Sequence, residues 1–480
     1  MKKTRNGQLI LLAFVGLLSG CATHSVDLET PIQQVAPQAW SSHPLTSEHA
    51  IDVAQFWEAW NDLVLLSLIQ KAQQSNTDVL TAYATLKAAR ANLKEASASL
   101  WPTADVSGEG SRQRTGGHTQ ESWSGGFDVL WTLNLAGGEY AERDAQYYEV
   151  LAKEIAVSDA QEAVALETAK AYIQLRSNQV LQSITRSTLK NYEENAELVR
   201  WRVMAGLASQ TELEDSLSRV ASTQAQLRGL EATQTSYRNA LARLTVQPLD
   251  SLTVQPLDSL TLGVGEIPTA PMGLSVGIPA ETLMRRPDIR SARAMLLSSS
   301  ANLEKAKSDF FPTLSLRGSI GTQAATVGAL GASGSGIASL VGALSLPVLN
   351  WGSLQAREDL AESALDEAKA RYLSVIVGAL EETDNALHGI KSAQDQATYL
   401  DQALQHAQRA YELASMEYKT GMGDYAMLLE AQRSLLTAQE KVMTNETELS
   451  LQHVALYRAL GGAWKSQTLG VVTDKEEDHE

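Results

Sequence analysis

"ANLEKAKSDFFPT", residues 301–313, decides the reading of this chain, because "ANLKEASASLWPT" already stands 210 positions earlier, at residues 91–103. The correspondence runs well beyond the thirteen residues. At the same spacing Asp78, Ala82, Leu86, Ala96 and Gly108 recur as Asp288, Ala292, Leu296, Ala306 and Gly318. Further along, at a spacing of 214, Gly138 and Ala165-Leu166-Glu167 recur as Gly352 and Ala379-Leu380-Glu381; at 215, Glu197-Leu198, Gly206 and Ala240-Leu241 recur as Glu412-Leu413, Gly421 and Ala455-Leu456. Self-similarity on this scale marks one structural unit used twice.

The prolines show what the unit is made of. None of the twelve lies at 104–247 or after 347, so these are the stretches where helices can run without interruption. Residues 139–205 contain neither proline nor glycine and are rich in Ala, Glu, Gln, Leu, Lys and Arg; a helix of that length is a rod of about 100 Å. Gly206 supplies a C-terminal stop, and Ser209-Gln210-Thr211-Glu212 has the form of a capping box for a helix running back to about 245. The second half repeats the plan, with a helical run at 353–420, a break at Gly421-Met422-Gly423, Asp424 as N-cap and a return to about 460. Shorter helices are expected at 77–100 and 287–310, the latter with Pro287 in its first turn. By length, 210–245 plus 287–310 matches one unbroken rod, as does 424–460 plus 77–100, which suggests long rods beside pairs of short rods stacked end to end. Tyr411, Met416 and Tyr418 fall at helical spacing and read as packing between helices.

Between each short helix and the following long one the period changes to two. In "SWSGGFDVLWTLNL", residues 122–135, Trp123, Phe127, Val129, Trp131, Leu133 and Leu135 occupy alternate positions, with Ser124, Asp128, Thr132 and Asn134 between them. Residues 313–323 alternate through Leu314, Leu316, Gly318 and Ile320, residues 340–348 through Leu340, Leu344, Leu346 and Val348, and residues 103–114 do so weakly. Loops are expected at 115–121 and 328–336. Strands of this length fit a membrane-crossing β-barrel, but a single-chain barrel needs at least about eight, so four strands per chain require several chains. No apolar run after residue 21 is long enough for a membrane-spanning helix.

The amino terminus is a secretory signal: the basic stretch Met1-Lys2-Lys3-Thr4-Arg5, an apolar run at 9–18, then Leu18-Ser19-Gly20-Cys21. Cys21 is the only cysteine, so no intrachain disulfide is available, and L-S-G-C resembles a bacterial lipobox in which Cys21 carries covalent lipid. Ala22 lacks the aspartate that would retain such a lipoprotein at the inner membrane, so the expected place is the outer membrane of a Gram-negative cell. The net charge of −17 becomes about −20 once Lys2, Lys3 and Arg5 are removed with the signal, which argues against nucleic acid as a partner. The eight histidines are scattered, no H-E-x-x-H is present, and "GASGSG" lacks the Lys-Ser/Thr of a phosphate loop, so neither an enzyme, a metal site nor a bound cofactor is expected beyond the lipid on Cys21. A tandem copy of "LTVQPLDS" at 244–251 and 252–259 reads as a tolerated loop insertion.

"IPAETLMRRPDIRSARAMLLSSSANLEKAKSDFFPTLSLRGSIG" at 278–321, "YKTGMGDYAMLLEAQRSLLTAQE" at 418–440 and "WNDLVLLSLIQKAQQSNTDV" at 60–79 closely resemble the TolC-like outer-membrane efflux proteins, in their lipoprotein (NodT or OprM-like) branch. The resemblance implies a mainly α fold with transmembrane β: a homotrimer whose long α-helical barrel is capped by a twelve-stranded β-barrel. It implies an exit duct for drugs or other small molecules, fed by an inner-membrane transporter of the resistance-nodulation-division type through a periplasmic membrane-fusion adaptor. It also implies an acidic aperture at Glu430, a second constriction at Ala426 or Met427, and adaptor contacts at the hairpin tips Gly206, Leu207, Gly421, Met422 and Gly423. A protein-secretion channel served by another transporter, and a non-conducting lipid-anchored tether, are the alternatives. The chain then divides into a signal peptide (1–20), a lipidated segment and first helix (21–76), a first repeat (77–260), an equatorial linker (261–286), a second repeat (287–462) and an acidic tail (463–480).

Overall fold

The computed structural model describes residues 55–247, 265–270 and 283–462. The signal peptide, Cys21, most of the 261–286 linker, the acidic tail and nearly all of the tandem "LTVQPLDS" copy lie outside the described residues. Two short helices, α1 (Phe56–Ala59) and α2 (Leu63–Ser75), lead into the first repeat: α3 (Thr77–Ala98), β1 (Thr103–Thr115), β2 (His118–Asn134), α4 (Gly138–Met204) and α5 (Gln210–Leu244). The second repeat follows the same plan with α6 (Pro287–Ser308), β3 (Thr313–Ala324), β4 (Gly336–Ser345), α7 (Trp351–Thr420) and α8 (Tyr425–Ala459).

From α3 onward the helices form one layer. In the half next to the sheet the neighbours are α3, α4, α6 and α7; in the half that ends in the hairpin tips they are α5, α4, α8 and α7. The two long rods, α4 with 67 residues and α7 with 70, therefore run the whole height, while α3 continues α5 and α6 continues α8. This corrects the pairing read from lengths, which joined 210–245 to 287–310 and 424–460 to 77–100. Length does not distinguish the two arrangements, because α5 and α8 both have 35 residues and α3 and α6 both have 22.

What does distinguish them is hydrogen bonding at the junctions. Asn76 accepts from the amide of Asp78 to cap α3, and its side-chain nitrogen donates to the last carbonyl of α5, Leu244, at 3.0 Å. The repeat-equivalent residue Arg286 does the same for the other pair, donating at 3.1 Å to the carbonyl of Ala459 at the end of α8. Each junction satisfies carbonyls that a helix end leaves without partners. Arg286 also holds Asp288 with two bonds and Glu382 of α7 with one of 2.7 Å. Burial works against its charge, but the two carboxylates outweigh it and keep the guanidinium protonated.

A core at the waist joins the layers. Phe56 of α1 stacks on Tyr457 of α8 with ring centroids 4.4 Å apart, and Trp57, Trp60, Tyr172, Leu241 and Leu387 complete the cluster. Asp62 caps α2 and accepts from the hydroxyl of Tyr172, which in turn accepts from Arg176 at 3.0 Å.

The four strands make one antiparallel sheet in the order β1-β2-β3-β4. Thr115 pairs with His118 across Gly116 and Gly117, both at positive φ, so the strands reach the turn and the loop expected at 115–121 shrinks to two glycines. Polar residues there resembled a loop, but two consecutive glycines build the tight hairpin turn whose twist matches the strands. β4 also differs: it begins at Gly336 and ends at Ser345, leaving Leu346 and Val348 beyond it, since Pro347 cannot join a ladder. Met416, expected between helices, is exposed, whereas Tyr418 is buried.

Candidate functional site

Directly paired residues of an antiparallel sheet share a face, so the register sorts the two faces. One carries the rows Val106–Phe127–Ile320–Ala338, Val129–Gly318–Leu340, Trp131–Leu316–Gly342 and Leu133–Leu314–Leu344. The other carries Asp105–Asp128–Ser319–Ser339 and Glu109–Ser124–Gln323. The apolar band on β2 runs from Trp123 to Leu133, about 34 Å along the strand, or about 25 Å once tilted as membrane strands are. An Arg112–Glu121 ion pair stands just beyond Trp123 on the same face and closes the band above. Exposed Trp101, Phe311 and Trp351 lie at its lower edge, where aromatic side chains favour the membrane interface. Among the described residues no helix is long and apolar enough to cross a membrane.

The sheet is tied firmly to the helices beneath it. The indole nitrogen of Trp131 donates to the carbonyl of Leu100, and Asn134 donates to the carbonyl of Ser308 at 3.0 Å. Its edges, β1 and β4, are exposed along their whole length, each with an unpaired row of backbone groups.

At the far end the two hairpins turn on glycines. Gly206 (φ 71°) and Gly421 (φ 76°) occupy the left-handed conformation that closes a helix at low cost. Leu207 and Met422 follow them and stand 70% and 81% exposed, and Trp201 and Met204 add apolar surface beside Leu207. The latter pair was not singled out from the sequence; two large apolar residues in the last turn of a helix are the signal. Gly423 packs against Glu417, where a Cβ would come within 2.8 Å of the glutamate Cβ.

α8 sorts its residues cleanly. Tyr425, Leu428 and Gln432 are buried against the neighbouring helices, while Ala426, Met427 and Glu430 all lie exposed on the opposite side. Met427 and Glu430 are thus one turn apart on a common face, and Arg433, which no pattern in the sequence marks, follows at the next turn.

Between the hairpins, Val199 of α4 packs with Tyr418, Tyr425 and Leu428. The Arg202 guanidinium lies 4.6 Å from the Tyr418 ring centre and donates to the Tyr418 carbonyl at 3.2 Å. Burial raises the hydroxyl pKa of Tyr418, with Arg202 opposing, and pushes that of Tyr425 up to about 12, so both stay neutral at physiological pH. The seam is not fully satisfied. The side-chain amide of Gln432, the Nδ2 of Asn195 and the hydroxyl of Tyr418 are buried there without hydrogen-bond partners among the described residues.

The chain matches the family profile described as "Outer membrane efflux protein" over residues 68–246 and 278–462. It is 30% identical over 480 residues to the toluene efflux pump outer membrane protein TtgC of Pseudomonas putida, spanning 96% of both chains. It is 29% identical over 476 residues to the pyoverdine export outer membrane protein OpmQ of Pseudomonas aeruginosa, spanning 96% of this chain and 98% of the relative. The solved outer-membrane channel OprN superposes with a TM-score of 0.82 at 28% identity, covering 89% of this chain and 97% of that one.

Proposed function

The chain belongs to the outer membrane efflux protein family, and we propose that it is the outer-membrane exit duct of a three-part pump, assembled as a homotrimer and passively conducting small molecules. The single observation that carries the assembly is the four-stranded sheet, apolar on one face and polar on the other, with both edge strands unpaired. An open edge in a membrane leaves backbone groups without partners, which lipid does not tolerate, so β4 of one copy must pair with β1 of the next. Two copies would close an eight-stranded barrel whose interior side chains fill it; three give twelve strands and room for a lumen lined by Asp105, Asp128 and Ser319. The helical layer continues the lumen for the length of α4, about 100 Å.

In this reading Cys21 carries the lipid that anchors the chain among outer-membrane lipids. The exposed tips at Gly206, Leu207, Gly421, Met422 and Gly423 receive a periplasmic membrane-fusion adaptor, through which an inner-membrane transporter of the resistance-nodulation-division type delivers cargo. The cargo is a small organic molecule, as the names of TtgC and OpmQ suggest. The protein is a conduit rather than an enzyme, and the transporter supplies the energy.

Ala426, Met427 and Glu430, repeated three times around the axis, form the aperture. A ring of carboxylates favours cations, and the Met427 ring narrows the passage one turn away. Planar-bilayer recording of the purified protein and of Glu430→Ala tests this. The expected outcome is a small, cation-selective wild-type current that grows and loses selectivity in the variant. Silence from both proteins, inserted and folded, overturns the channel; identical currents overturn the aperture.

A further inference from the structure

The upper cores of the two repeats share a set of equivalent residues. Leu296, Leu303, Leu365 and Tyr372 of the second repeat pack in one cluster, and their counterparts Leu86, Leu93, Val150 and Val157, 210 and 215 positions earlier, pack in the same way in the first. The cluster of the second repeat also contains Leu283 and Ile376, both 0% exposed. The sequence identities at Gly138 and Ala165 match at 214, but the buried positions of the folded long helices match at 215, where Thr168, Ala171, Tyr172 and Leu175 answer Thr383, Ala386, Leu387 and Ile390. The counterparts of Leu283, at 210, and of Ile376, at 215, are therefore Gln73 and Gln161. Where one repeat is filled with hydrocarbon, the other has an open cleft of about 330 Å³ lined by Gln70, Gln73, Gln74, Gln161 and Tyr83.

Gln70, Gln73 and Gln74 stand on one face of α2, at helical spacing. Gln73 donates to the backbone carbonyl of Gln161, and the Gln161 side chain donates to the Tyr83 hydroxyl, both at 3.4 Å. These bonds are longer than the usual N–H···O range, so a ligand offering better geometry would replace them at small cost. The lining holds four primary amides and a half-exposed aromatic ring, and no charged side chain. Each amide presents a donor and an acceptor side by side, which complements a vicinal diol or another amide. The negative face of the Tyr83 ring suits the weakly positive C–H face of a sugar. An apolar drug here would take the four amides out of water and leave them unpaired.

We propose that this cleft binds a neutral N-acetylated glycan, the chain chemistry of the cell wall. Its position rests on the channel reading. α2 lies on α4 as a second layer, which on the inner surface would block the duct, so the cleft opens toward the periplasm. From Tyr83 along α3 to Trp101 at the membrane edge is about 27 Å, well below the lipid. The site would fix the duct against the wall through which it passes.

The test uses the purified full-length protein, tetrameric N-acetylglucosamine as a soluble probe, and isolated cell-wall sacculi in a sedimentation assay. Saturable binding of the tetramer and co-sedimentation with sacculi are expected. Installing the other repeat's pair, Gln73→Leu with Gln161→Ile, should weaken both by about tenfold, the loss of one or two good hydrogen bonds. Tyr83→Ala, at an exposed position where folding is not at stake, should weaken both as well. Conductance should be unchanged in every variant, which separates this proposal from the channel itself. No saturable tetramer binding overturns the proposal, as does binding that survives both variants, or sedimentation with sacculi in the absence of tetramer binding.

Discussion

Arg286 shows how much of this fold one side chain holds. It is 4% exposed, yet it joins α8 to α6 end to end and pins both to α7 through Glu382. Arg286→Ala leaves two carboxylates and a helix-end carbonyl without their donor; because Asp288 and Glu382 are partly solvated, the expected loss is about 3 kcal/mol, at the low end for a broken buried pair. Thermal unfolding followed by helical circular dichroism measures it. His453 gives the chain a pH dependence. It is 3% exposed on α8, its Nδ1 shares a 2.8 Å hydrogen bond with the carbonyl of Leu449, and burial holds its pKa below the ordinary 6.5. The unfolded chain therefore takes up the proton first as pH falls, so the stability contributed by neutral His453 is complete above about pH 6.5 and declines below it. Melting temperature should fall between pH 7 and 5 in the wild type and fall less in His453→Gln. Neither residue's role was legible in the sequence. Arg286 stands inside the 278–321 stretch that carries the family resemblance, but its partners lie 96 and 173 positions away, and only the folded chain brings them together.

Helices and strands were far more legible, because each is specified locally. The absence of proline and glycine predicted α4 to within a residue at each end, and Ser209, whose hydroxyl accepts from the amide of Glu212, caps α5 as the sequence implied. What remained hidden was which short helix continues which, since equal lengths carry no information and the deciding bonds join distant residues. The α4–α8 seam likewise followed from no pattern. There Gln432 and Asn195 bury amide groups without partners, each costing about 1–3 kcal/mol. Such a seam is weaker than its apolar surface suggests, and in the proposed duct, where Met427 and Glu430 narrow the passage beside it, a parting of the two hairpins would widen the aperture. Gln432→Leu should therefore raise the melting temperature, by the equivalent of about 1–2 kcal/mol, and lower the open fraction in bilayer recordings. A less stable variant with more current would contradict that account.

At the scale of the molecule, the repeat explains how a 480-residue chain could supply one third of the proposed three-copy duct. Each unit supplies two strands and one hairpin, so a protomer spans a third of the proposed barrel and exposes two raw edges. The alternation of Trp123, Phe127, Val129, Trp131 and Leu133 is enough by itself to mark the membrane face, because period two is visible in one strand alone. Which polar residues share the opposite face is a matter of register between strands, and that only the sheet reveals. In the proposed duct this polar face lines the conducting path while the apolar face meets lipid. Neighbouring residues of β3 separate the two: Ser319 belongs to the polar face and Ile320 to the apolar one. The most direct test records current through Ser319→Cys and Ile320→Cys during addition of a charged, membrane-impermeant thiol reagent, with the wild type as the control for Cys21. Rapid block of Ser319→Cys, with Ile320→Cys and wild type unaffected, is the predicted result; block of Ile320→Cys with Ser319→Cys untouched would contradict it.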